Sequence, residues 1–423
     1  MSHHDVVLFF LQISSMLAVA LIFGQVMRRL HLPIVLGELI GGILLGPTVL
    51  GALAPNLYAW LFPTSGTTSL GRDAVIKLGM LFFLFVAGLE VDLAHLQRRG
   101  LSIACTSIAG ILVPFGLGLG LVLLLPDPWG PQATSNVFMF ALFIGTALSI
   151  SALPVIARIL IDLDLIKREL GMVVMAAATI DDLIGWLLFA VILSNFAPSG
   201  LPVRSLGVTL SLVLGLFALI LSVGRWVGQR TLCWLQSRLS QPSGFIGVTA
   251  VLVLVVAATT EVIGLHAIWG AFLVGVALAE NSEKRNQAHE MIYQFAISFF
   301  APIYFVSIGL QANFAANFHL LLVLLILLVA CVGKIGGVTF GAWMGKMSPR
   351  DALAIGFGMN ARGAMGMVLA SMALEYKLID QRVFVALIVM ALVTSLLSGP
   401  IMQRLLMIKP LDEGKSREGA NGS

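Results

Sequence analysis

The chain has 423 residues, of which 59% are hydrophobic and only 11% charged, against roughly 25% charged in a soluble domain. Its net charge of +4 does not speak for a nucleic-acid partner, because the basic residues fall where they serve membrane topology. Cys105, Cys233 and Cys331 lie far apart with no CxxC spacing, so neither a disulfide framework nor a thiolate zinc site is indicated.

This composition is that of an all-α polytopic membrane protein. The start, "MSHHDVVLFF", lacks a positive n-region and a small-residue cleavage site and is read as retained. With roughly 20 apolar residues per span, the chain divides into about thirteen segments: 5–27, 33–52, 73–91, 100–125, 136–160, 169–194, 204–224, 244–263, 265–280, 291–310, 318–345, 351–374 and 383–406. The tightest link is at Gly264–Leu265, where two helices must turn almost at once. The basic residues test this division. Eighteen of the 25 lie in the last turn of odd-numbered segments or in the connections after them. Four (Arg72, Arg204, Lys377 and Arg382) lie after even-numbered ones, and Lys77, Lys334 and Arg362 lie inside segments. By the positive-inside rule the amino terminus and the loop around Pro128–Asn136 are extracytoplasmic, and the carboxyl terminus is cytoplasmic.

Thirteen is six, one and six. The expected organisation is a transmembrane unit over residues 1–408, with a first repeat at about 5–194, a linker helix at about 204–224 and an inverted second repeat at about 244–406. A short, polar tail at 409–423 is expected to be disordered. Two interruptions occupy equivalent places in the halves. The fifth segment carries "TALSISALPVIARIL", with Pro154 deep inside it and Ser149 and Ser151 just before. The twelfth carries "GFGMNARGAMGMVLA", with Asn360, Arg362 and three glycines in mid-segment. Broken backbone at membrane depth is tolerated only where it is buried in protein or lines a cavity.

The charges at depth are Glu38, Asp181, Asp182, Lys334 and Arg362. Each costs roughly 2.5–3.5 kcal/mol at mid-bilayer unless paired, so such residues are commonly functional. Asp181 and Asp182 are about 100° apart on a helix and cannot share one direction. Lys334 rises from a face thinned by Gly333, Gly336 and Gly337, so a neighbouring helix can come close. Asp181 and Lys334 can then neutralise each other and leave Asp182 to bind a travelling cation. Oxygen ligands for it are available from Asp182, from the hydroxyls of Thr146, Ser149 and Ser151, and from carbonyls freed at the break. At a desolvated carboxylate beside a second acid, proton and monovalent metal ion compete. Competition combined with alternating access is exchange. A wholly structural cluster is the alternative. Arg362 is expected to support the broken helix, through helix-end carbonyls or Glu38; Glu38 is such a partner or a second proton site. His266, near a segment edge, is read as packing or pH tuning.

The strings "LPIVLGELIGGILLGPTVLG", "FLFVAGLEVDL", "ALSISALPVIARIL", "IDDLIGW", "GLHAIWGAFLVGVALAE", "FFAPIYFVSIGLQANF" and "NARGAM" together resemble the monovalent cation:proton antiporter-2 family, from about Pro33 to Arg404. The resemblance implies a sodium/proton-antiporter fold with a dimerisation domain and a mobile core containing two crossed, discontinuous helices. It casts Asp182 as the ion- and proton-binding acid, Asp181 as its neighbour and Lys334 as that neighbour's partner. The Asp-Asp form resembles electrogenic members. Unlike in the glutathione-gated potassium-efflux relatives, no nucleotide-binding domain is expected after the last span.

The resulting expectation is a homodimeric, multi-pass membrane antiporter exchanging Na⁺ foremost, or K⁺, for H⁺, with no cofactor beyond the transported ions. A cation channel or a membrane-integral ion or pH sensor is the rival reading. Enzyme activity is not expected: an intramembrane aspartyl protease needs its two acids on different helices, and here they are adjacent.

Overall fold

The computed structural model describes residues 2–30, 32–90, 100–131, 133, 136–163, 165, 168–194, 206–219, 222, 243–279 and 287–406. Arg98, Lys167, Arg204, Arg230 and Lys284, the remaining cysteine Cys233 and the tail expected at 409–423 lie outside the described residues.

Over its described residues, each of the thirteen apolar segments is mainly helical. In chain order the helices are α1 (His3–Arg29), α2 (Ile34–Leu45), α3 (Leu50–Leu53), α4 (Pro55–Leu61), α5 (Thr67–Leu89), α6 (Gly100–Leu124), α7 (Val137–Ser149), α8 (Leu153–Asp162), α9 (Glu169–Ser194) and α10 (Leu206–Leu219). They continue with α11 (Ser243–Ile263), α12 (Ala267–Leu278), α13 (Gln287–Phe295), α14 (Ala301–Gln311), α15 (Phe314–Asn317), α16 (Leu320–Met344), α17 (Pro349–Gly358), α18 (Gly363–Glu375) and α19 (Gln381–Leu406). A π-turn at Ala296–Phe300 joins α13 to α14. By length and apolarity alone, nine helices among the described residues qualify as spans, or ten if the α17–α18 pair, bent by 44°, counts as one. The others fail for plain reasons. α5 carries Arg72, Asp73 and Lys77 in its first half, while α10 and α12 are shorter than a bilayer.

The tight link at Gly264 is made by a left-handed glycine (φ +84°). The Leu265 N–H reaches back to the Thr260 carbonyl at 2.9 Å, a Schellman-type stop. The Glu261 carboxylate accepts the Ala267 N–H at 2.7 Å and His266 Nδ1 accepts that of Ile268 at 3.3 Å. His266 also meets Tyr376 edge-on, with ring centroids 5.4 Å apart.

The helices pack in two groups. α1, α2, α5, α11, α12 and α14 pack on one another, as do α6, α7, α8, α9, α16, α17, α18 and α19; α18 is the main element of the second group touching α2 and α14 of the first. Within the second group the densest crossing is α6 against α16. Gly333, Gly337, Gly341 and Gly345, one per turn, lie against Pro114, Ala109, Cys105 and Ser102. Gly336, expected on this face, has nothing within 4 Å of where a side chain would start. Three residues' advance at 100° each carries it 60° away from the stripe.

A pseudo-symmetry runs through these pairings. α1 packs on α2 as α11 packs on α12, α2 on α14 as α12 on α5, α6 on α7 as α16 on α17, and α9 on α8 as α19 on α18. The two equivalent crossings are built alike: Gly42 of α2 meets Gly309 of α14, and Gly275 of α12 meets Gly88 of α5. Their sequences rhyme as well, "LPIVLGELIGG" with "LHAIWGAFLVG" and "GLEVDL" with "GLQANF". A Cβ on Gly88 would collide with the Phe272 carbonyl oxygen, and one on Gly275 with that of Phe85. Gly88→Val and Gly275→Val are therefore each expected to cost about 1–3 kcal/mol or more in thermal unfolding in detergent. Gly336→Ala, in open space, should gain about 0.5–1 kcal/mol from helix propensity.

The connections next to three odd-numbered segments, expected on the cytoplasmic side, gather at one end. A cavity of about 440 Å³ is lined by Leu165 and Arg168, by Lys346, Ser348 and Asp351, and by Leu406, which follow the fifth, eleventh and thirteenth segments. At the other end Gly130, after the fourth segment, packs on Asp380 and Arg382, after the twelfth.

Candidate ion-binding site

The most enclosed span window, 83% buried, runs through α7 and α8; that of α9 is 72% buried, against 22% for α1 and α11. α7 stops at Ser149 because Ile150 is extended (ψ 142°). α8 restarts at Leu153, with Pro154 in its first turn, where a missing N–H costs nothing. The second break runs from Met359 to Arg362, and α18 begins at Gly363 (φ +33°). The Ser395 hydroxyl accepts the Gly363 N–H at 2.9 Å.

The two breaks are stitched to each other. The Ala152 N–H donates to the Ala361 carbonyl at 2.8 Å. The Ser151 hydroxyl lies 2.8 Å from the Met359 carbonyl and 3.1 Å from Asp181 Oδ2, and its one proton serves either. Arg362, fully buried, donates to the Leu148 carbonyl at 2.7 Å, the Ala330 carbonyl at 3.0 Å, and Asn360 Oδ1 and its carbonyl at 2.6 and 3.2 Å. Leu148 belongs to the last turn of α7, whose carbonyls have no helical donor. Asn360 also donates to Cys331 Sγ at 3.4 Å. Glu38 is not a partner of Arg362: it lies buried in α2 with no hydrogen bond or ion pair to a described residue.

Asp181 and Asp182, side by side in α9, are 1% and 3% exposed. Lys334 Nζ lies 2.5 Å from Asp181 Oδ2 and 3.0 Å from the Gly110 carbonyl, and it also donates to the Ser149 carbonyl. An ammonium has three hydrogens, and all three are used. Asp182 has the Leu153 backbone N–H as a hydrogen-bonding neighbour. The cations thus sit at the carbonyl end of α7 and this carboxylate at the amide end of α8, the arrangement that helix dipoles favour.

Asp181 Oδ1, Asp182 Oδ1 and Arg362 Nε are buried here with no hydrogen-bond partner, three of twelve such side-chain atoms among the described residues. The Thr146 hydroxyl is tied to the Leu142 carbonyl at 2.8 Å and that of Ser149 to the Thr146 carbonyl at 2.9 Å. Their hydrogens are spent within α7, and their oxygen lone pairs remain. Among the described residues no group of three His, Cys, Asp or Glu could hold a metal. The chemistry on offer is carboxylate, hydroxyl and carbonyl oxygen, a donor set for hard cations.

A family model described as sodium/hydrogen exchanger, transmembrane, matches residues 16–408. The chain belongs to the sodium/hydrogen exchanger family. Among curated relatives, Cation/H(+) antiporter 18 of Arabidopsis thaliana is 34% identical over 416 residues, covering 97% of this chain and 50% of the relative. K(+)/H(+) antiporter 1 of Saccharomyces cerevisiae is 30% identical over 95% of this chain and 47% of its own length. The chain thus spans about half the length of these relatives. The Na(+)/H(+) antiporter NhaS4 of Synechocystis is 28% identical, with 96% and 98% covered. A solved sodium proton antiporter from Methanocaldococcus jannaschii superposes with a TM-score of 0.67 over 97% of this chain and 100% of its own, at 16% identity. That likeness establishes the fold.

Pro114, the Gly110 and Leu148 carbonyls and Ser395 belong to no motif that points to this site. A proline inside an apolar segment does advertise a free carbonyl four residues earlier; nothing in a sequence says which side chain will take it.

Proposed function

We propose that this exchanger-family chain is a proton-coupled antiporter in which Asp182 takes either a proton or a monovalent cation, Na⁺ foremost with K⁺ as the alternative. The observation that carries the reading is the orphaned Oδ1 of Asp182, buried beside an acid whose own charge is already met by Lys334. Two acids and the two bases Lys334 and Arg362 balance at the crossing. A proton or a monovalent cation added at Asp182 leaves the same net charge, so either can complete the site.

The two helix groups support an elevator-like alternation. The group holding the broken helices would slide past α1, α2, α5, α11, α12 and α14, and the latter would provide the homodimer contact. Residues 5–194 and 244–406 are the two repeats of this reading, with 204–224 as the linker. Electrogenic exchange would follow from a second proton carried by Asp181 when its pairing with Lys334 opens.

Reconstituted protein should acidify or alkalinise the vesicle lumen on a Na⁺ or K⁺ jump, without added ionophore. Cation currents with no linked proton movement would instead indicate a channel. The amino terminus is placed extracytoplasmic and the carboxyl terminus cytoplasmic, supported by the eighteen-to-four charge bias and by the gathering of connections next to three odd-numbered segments at one end. A cysteine at Asp127, in a cysteine-free background, should react with an impermeant maleimide in intact cells, and one at Arg350 should not. The reverse pattern would invert the topology.

A further inference from the structure

Lys334 has one acceptor that the helix breaks do not explain. The Ser149 carbonyl is free because α7 ends there, and Asp181 is the ion-pair partner. Gly110, however, lies in the middle of the continuous helix α6, where its carbonyl should accept the N–H four residues ahead. That residue is Pro114, the proline inside α6. Proline has no N–H, and its ring presses against the carbonyl four residues back. The Gly110 oxygen is thereby released from the helix ladder, and Lys334 Nζ lies 3.0 Å from it. Pro114 also sets how near the lysine's backbone comes. A Cβ built on Gly333, the residue before Lys334, would lie 2.9 Å from Pro114 Cα, and one on Gly110 would meet Val338, a turn beyond the lysine.

We propose that Pro114 is a positioning residue of the ion site: by withholding an N–H from Gly110 it supplies the third acceptor that holds the Lys334 ammonium on Asp181. It touches neither the ion nor Asp182 and acts only through the lysine. The proposal deepens the antiport reading, but one arm of its test needs no transport.

Pro114→Ala returns an N–H that competes with Lys334 for the Gly110 oxygen. The substitution is to be made in the natural chain and in an Asp181→Asn/Lys334→Met background, where the same carbonyl has no lysine to serve. Melting temperatures of the four proteins in detergent should show opposite signs. Pro114→Ala lowers that of the natural chain and raises that of the lysine-free one, where the helix regains a bond and loses its proline. In vesicles, Pro114→Ala should slow exchange in the natural chain and leave the rate of the lysine-free background unchanged. Failure of Pro114→Ala to accumulate in the natural chain alone would support the proposal. Failure in both backgrounds, or melting shifts of the same sign and size in both, would assign the proline to helix shape only. Loss of the stability reversal would overturn the inference and leave antiport untouched; the reversal without any exchange activity would do the opposite.

Discussion

Asp182→Asn is expected to abolish cation-driven proton movement, to the level of protein-free vesicles, while the protein inserts and folds normally. The substitution keeps size and polarity and still offers an oxygen to the Leu153 N–H. What it removes is the negative charge and the titratable proton, the two properties that proton and cation share in wanting. Stability should hold or rise, because a buried, orphaned carboxylate oxygen is a cost that the amide reduces. Greater stability with no transport would be the mark of a group kept for function at the expense of the fold. Ordinary exchange by Asp182→Asn would remove the residue from the carrier role.

Breaking the Asp181–Lys334 pair should be costly in one direction more than the other. Lys334→Ala leaves Asp181 with the Ser151 hydroxyl alone and strands the Gly110 and Ser149 carbonyls. Removing one member of a buried pair costs about 3–5 kcal/mol. Asp181→Asn is expected to be milder, since the ammonium keeps both carbonyls. The double replacement removes both charges and should recover much of the loss, though not all, because the carbonyls stay bare. Thermal unfolding of the four proteins gives the coupling as a double-mutant cycle. Additive losses would mean that the pair contributes no coupling. Transport persisting in the double variant through Asp182, with fewer protons moved per cation, would locate the second proton on the pair.

Much of this architecture was legible because membrane burial writes itself into the sequence. Apolar runs of bilayer length, basic residues gathered on alternate connections, and the paired interruptions at Pro154 and at Asn360–Gly363 each follow from the energetics of the bilayer. Charged residues at depth were conspicuous for the same reason. Their partners were not. Arg362 ends on the Leu148 and Ala330 carbonyls rather than on Glu38, and main-chain acceptors carry no sequence signature. Gly336 looked like part of the close-packed face and is not, because helical phase rather than composition decides which glycines meet a neighbour. The internal repeat is marked by Gly42 with Gly275 and Gly88 with Gly309, residues scattered among 43 glycines. Only the crossings single them out.

The central claim is that one carboxylate serves both ions, and competition tests it most directly. Exchange by the reconstituted protein should be measured over a range of Na⁺ and K⁺ concentrations at several pH values, with equal pH on both sides at the start. If proton and cation share Asp182, the half-saturating cation concentration rises about tenfold per unit fall in pH on the acid side of the profile, the dependence expected of one proton displaced by one cation, and the maximal rate is recovered at high cation. A half-saturating concentration independent of pH, with acid lowering only the maximal rate, would place the two ions on separate groups and contradict the account.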